Sequence, residues 1–82
     1  MLKVIDIEYC EGYKFKTKLS NGTEGMFDVS PYVEKGIFSQ LKNKEYIQQV
    51  KINFAGICWP NGQDFSADTI EYHINNDYKA VS

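Results

Sequence analysis

The chain has 82 residues, of which 43% are hydrophobic and 15% aromatic, enough to build one small core and to exclude global disorder. A net charge of −2 and a sequence pI of about 5.2 exclude an overall field that would draw the protein to nucleic acid or anionic membrane. No charged head precedes an apolar run at the N-terminus, where Met1-Leu2-Lys3-Val4-Ile5-Asp6 alternates and Asp6, Glu8 and Glu11 would interrupt any signal peptide. Two cysteines, Cys10 and Cys58, make no disulfide framework, and a reduced cytoplasm is the expected setting.

Three strands come first. Ile5, Ile7 and Tyr9 alternate over 3–9, and Tyr13, Phe15 and Leu19 over 13–19, as half-buried strands require. A three-residue loop, Cys10-Glu11-Gly12, would pair Tyr9 with Tyr13, Ile7 with Phe15 and Ile5 with Thr17. On the other face it sets Glu8 against Lys14 and Asp6 against Lys16. The loop Ser20-Asn21-Gly22 likewise pairs Phe15 with Phe27, Tyr13 with Val29, Lys18 with Glu24 and Lys14 with Asp28. The expectation is an antiparallel three-stranded meander with one apolar face and one charge-laddered face, Met26 being the apolar exception on the latter.

Helical signals follow. Ser30-Pro31 reads as an N-cap with proline in the first helical position, and Gly36 as its end. Asn43 caps a second short helix over 44–49, with Tyr46, Ile47 and Val50 inward. A β-hairpin spans 50–54 and 57–59 around Ala55-Gly56, with Ile52, Phe54, Ile57 and Trp59 able to share a face. Ser66 caps a last helix from Ala67 to about Asn75, with Phe65 and Ile70 at staple spacing and Ile74 inward. Asp68, Glu71 and Tyr72 lie nearer solvent. The fold class is α+β: the meander, a later β-hairpin, two short helices and one C-terminal helix. We expect a single domain over 1–82, frayed from about residue 76.

Chemical signals are sparse. Cys10, Cys58 and His73 are scattered without a C-x-x-C spacing, so neither a thiol nucleophile nor a zinc site is indicated. Asp64, Asp68 and Glu71 cluster at a helix start, where exposed N–H groups favour acidic side chains without any cation. Lys14, Lys16 and Lys18 form a basic stripe, but Tyr13 and Phe15 point to the opposite face and carboxylates lie across from the lysines. No phosphate loop, dinucleotide fingerprint or nucleophile elbow is present, and no cofactor is expected.

The most specific stretch is Trp59-Pro60-Asn61-Gly62-Gln63-Asp64. Turn chemistry accounts for each residue of it, with tryptophan anchoring the core. Its functional reading is a surface tip, giving Trp59, Pro60, Asn61 and Gln63 as candidate interaction residues, with Tyr72 on the last helix.

Together with Val4-Ile5-Asp6, Gly12-Tyr13, Ser20-Asn21-Gly22-Thr23, Asp28-Val29-Ser30-Pro31 and Gly36-Ile37-Phe38, that block resembles a small bacterial and phage-associated family, domain of unknown function twenty-four forty-two. The resemblance runs from Met1 to about Tyr72. It implies a compact α+β domain and an interaction role, in gene arrangements proposed to be toxin–antitoxin-like. Some longer relatives continue into a helix-turn-helix domain; this chain stops at Ser82, so that DNA-reading part is expected to be absent. No catalytic residue carries over. The expected function is a non-enzymatic protein-interaction module, antitoxin-like or accessory, pairing with a partner protein or with itself. The alternative is a nucleic-acid-associated regulatory accessory using the Lys14/Lys16/Lys18 face.

Overall fold

The computed structural model describes the backbone of residues 1–81 and the side chains of residues 1–76. The first sheet is the expected meander, β1 (Val4–Glu11), β2 (Lys14–Leu19) and β3 (Glu24–Asp28), in the order β1-β2-β3. The β2–β3 register is as expected: Phe15 opposes Phe27, Lys18 opposes Glu24 and Lys14 opposes Asp28. The Val29 amide donates to the Tyr13 carbonyl at 2.9 Å, extending the same register by one pair.

The β1–β2 register differs. Tyr9 opposes Phe15 and Ile7 opposes Thr17, a slide of two residues that leaves the side chains from Asp6 to Tyr9 on their expected faces. The turn is Gly12-Tyr13 rather than Cys10-Glu11-Gly12, with Gly12 at φ +57 in the first turn position, where a Cβ would be strained. Irregularities at Ile5 and Cys10 absorb the slide. The Tyr9 ring then stacks edge-on against Phe15, centroids 5.6 Å apart, and its hydroxyl donates to the Gly12 carbonyl at 3.0 Å. One consequence corrects the expected core: Ile5 turns outward, and Val4, opposite Leu19, is buried in its place.

A 3₁₀ turn at Ser30–Tyr32 follows, but Ser30 does not cap it. The Asp28 carboxylate instead accepts the Ser30 amide at 2.8 Å. Gly36, at φ +49, opens a further 3₁₀ helix, Gly36–Lys42, which the sequence pattern did not reveal. Asn43 caps α1 (Lys44–Ile47) as expected, its Oδ1 accepting from the Glu45 and Tyr46 amides at 2.9 Å.

The hairpin becomes part of a second three-stranded antiparallel sheet: β4 (Lys51–Ile52), β5 (Gly56–Cys58) and β6 (Asp64–Ser66). Its first turn is built by Asn53, whose Oδ1 accepts from the Ala55 and Gly56 amides. This places Phe54 at the turn tip in solvent rather than in the core. α2 (Ala67–Val81) starts with the Ser66 hydroxyl accepting the Thr69 amide at 3.2 Å and continues past the expected end near Asn75. The fraying expected from about residue 76 falls almost wholly on side chains outside the described residues.

The apolar faces of the two sheets and α2 close on one another. Phe15 meets Trp59 edge-on at 5.9 Å, Phe27 meets Phe65 at 5.1 Å, and Ile57 and Ile70 are fully buried beside them. Ile74 of α2 lies over Gly25 of β3, where a Cβ would come within 2.8 Å of its Cγ2. Asn21 in the β2–β3 turn fastens the helix from its side, donating to the Glu71 carboxylate at 2.6 Å.

Candidate functional site

Trp59-Pro60-Asn61-Gly62 forms a turn closed by the Gly62 amide on the Trp59 carbonyl and the Trp59 amide on the Gln63 carbonyl. Gly62 sits at φ +99, which explains the glycine. Of the candidate interaction residues, Trp59 and Gln63 face inward. The indole Nε1 donates to the Ile47 carbonyl at 2.9 Å, and Gln63 is fully buried. Gln63 Nε2 donates to the Ile37 carbonyl at 2.8 Å and to Gln40 Oε1 at 3.1 Å, while its Oε1 accepts from Tyr46. A polar side chain surrounded this way holds the 3₁₀ helix and α1 to the turn. The tip is thereby reduced to Pro60 and Asn61, with Asn61 donating to Gln40 Oε1 at 2.8 Å and exposed Ile37 on the adjoining helix. Tyr72 is exposed on α2, as expected.

The other sequence candidates are dispersed or already engaged. Cys10 is exposed at the β1 irregularity, and Cys58 is half-buried on β5. The His73 Nε2 lies 2.7 Å from the Tyr32 hydroxyl, inside a run of rings that includes Phe27 and Tyr72. Among the described residues no three His, Cys, Asp or Glu side chains converge as a metal ion would need. Across the lysine stripe, Lys16 opposes Glu8, Lys18 opposes Asp6 and Glu24, and Lys14 opposes Glu11 and Asp28. Lys18 and Glu24 approach to 4.0 Å. Among the described residues no helix is long and apolar enough to cross a membrane.

Two surfaces remain that sequence reasoning missed. The first is a seam where β1 and β4, each the outer strand of its sheet, pack beside one another. It carries Ile5 at 53% exposure, Ile52 at 44% and Phe54 at 71%, with the Lys3 ammonium 4.9 Å above the Phe54 ring. Alternation placed these residues in the core; the Ile5 irregularity and the Asn53 turn take them out of it.

The second surface is an open groove of about 340 Å³ between the β1–β2 turn and α1, walled by Tyr9 and Tyr13, floored by Leu41 and Ile47, and rimmed by Lys42 and Lys44. Lys42 pairs with Glu34, whose carboxylate accepts a hydrogen bond from the ammonium and raises its pKa above the ordinary lysine value. No local motif announces this groove, because its walls come from segments some thirty residues apart.

Comparison with curated proteins and with solved structures returned no significant match. The family model described as "Protein of unknown function (DUF2442)" matches residues 4–76, nearly the whole chain, including both sheets and the Trp-Pro-Asn-Gly turn. The chain belongs to that family.

Proposed function

We propose that this protein is a non-catalytic protein-interaction module, an antitoxin-like or accessory component of the cytoplasm that acts by holding a protein partner, or a second copy of itself, against the β1–β4 seam. The exposed Ile5, Ile52 and Phe54 on that seam carry the reading. Three large apolar side chains on one seam supply apolar area that a partner can cover. Covering what remains exposed of such side chains contributes at most about 1.5–3 kcal/mol each, and aromatic residues are over-represented among those that dominate interfaces. Support for contact with nucleic acid through the lysine stripe is weaker, since each of those lysines faces a carboxylate-bearing residue.

The test is sedimentation of the purified protein at micromolar concentration, together with recovery of its native complex. Association should weaken at least about tenfold in the Phe54→Ser, Ile52→Ser double variant. A monomer at all concentrations with nothing bound to it, or a complex indifferent to both substitutions, would remove the reading.

A further inference from the structure

The geometry points to the Tyr9/Tyr13 groove as a binding site for an acidic peptide segment, one in which carboxylates alternate with apolar side chains. The groove has the two parts such a ligand needs. Its accessible apolar walls are two half-buried tyrosine rings, backed by the buried Leu41 and Ile47, so an apolar side chain laid against the rings leaves water. Its rim is cationic, with Lys42 and Lys44 one residue apart on either side of the Asn43 cap.

Glu34 shows how the rim handles a carboxylate. Its own carboxylate already rests on the Lys42 ammonium, and both side chains are largely solvent-exposed. An exposed pair of this kind exchanges readily for an incoming carboxylate. Among the described residues Lys44 is paired with no carboxylate, leaving a second cation to complete the match. The protein's overall charge of −2 makes this local cationic rim the more selective, because an acidic segment is disfavoured over much of the remaining surface. The groove shares none of Lys3, Ile5, Ile52 and Phe54 with the β1–β4 seam, so the two surfaces are tested separately.

Fluorescence anisotropy with a short labelled peptide alternating glutamate and leucine tests the assignment, using as control the same peptide with glutamine for glutamate. Saturable binding of the glutamate peptide is expected, weakened about tenfold by Lys44→Glu and by Lys42→Glu. Glu34→Gln should tighten it about two- to fivefold by removing the internal competitor, an effect that simple damage to the fold does not produce. Equal binding of the glutamine peptide, indifference to Lys44→Glu, or no gain in Glu34→Gln would overturn the proposal.

Discussion

The Tyr46 hydroxyl donates to Gln63 Oε1 at 2.6 Å while accepting the Asn61 amide at 2.9 Å, and both side chains are buried. One phenol thus joins α1 to the Trp-Pro-Asn-Gly turn, and one glutamine passes the connection on to the 3₁₀ helix through the Ile37 carbonyl.

Removing either end leaves buried partners unsatisfied. Gln63→Leu should lower stability by about 2–4 kcal/mol, and Tyr46→Phe by about 1–3 kcal/mol. In urea denaturation the double variant should lose less than the sum of the two, because they share a bond.

Gly56 sits against β6 so closely that a Cβ would overlap the Phe65 carbonyl oxygen and crowd the Ser66 Cα. Gly56→Ala therefore forces the β5 and β6 backbones apart, with an expected loss above about 3 kcal/mol and a shortfall of soluble protein. Gly12→Ala meets open space and carries only the strain of its positive φ, about 1–2 kcal/mol, so the two variants should separate clearly by thermal melting.

Gly25 gives a conditional prediction. Gly25→Ala presses on the Ile74 Cγ2 and should destabilise by about 1–3 kcal/mol. Combined with Ile74→Ala, which removes the obstructing carbons, the same substitution should have almost no further effect.

Lys42 should titrate above the usual lysine value of 10.5, because the Glu34 carboxylate hydrogen-bonds the charged form. With the folded-state value raised, any stabilisation from the pair is fully present below the unfolded lysine range and is lost as pH rises through the folded value. NMR titration of the lysine side chain should show that value falling back in Glu34→Gln.

The readable parts of the fold were those governed by neighbours in sequence. The β2–β3 register followed from alternation and from Ser20-Asn21-Gly22, and the α1 cap from Asn43 alone. The β1–β2 slide escaped because a shift of two preserves which face each residue occupies, so alternation cannot distinguish the registers. β6 has only three residues and its sequence doubles as a helix approach. Gln63 resembled a surface turn residue because its partners, Tyr46 and Ile37, lie 17 and 26 positions away. The seam was hidden for a related reason: Phe54 continues an apolar alternation, and only the Asn53 turn carries it outward.

The ring contacts of Phe15 with Trp59 and of Phe27 with Phe65 also set an order of events during synthesis. The opening meander is complete by residue 28, yet the groups that shield its greasy side emerge some thirty residues later. A chain released early from the ribosome would present a naked sheet with no lid, the kind of species that clumps or recruits a chaperone.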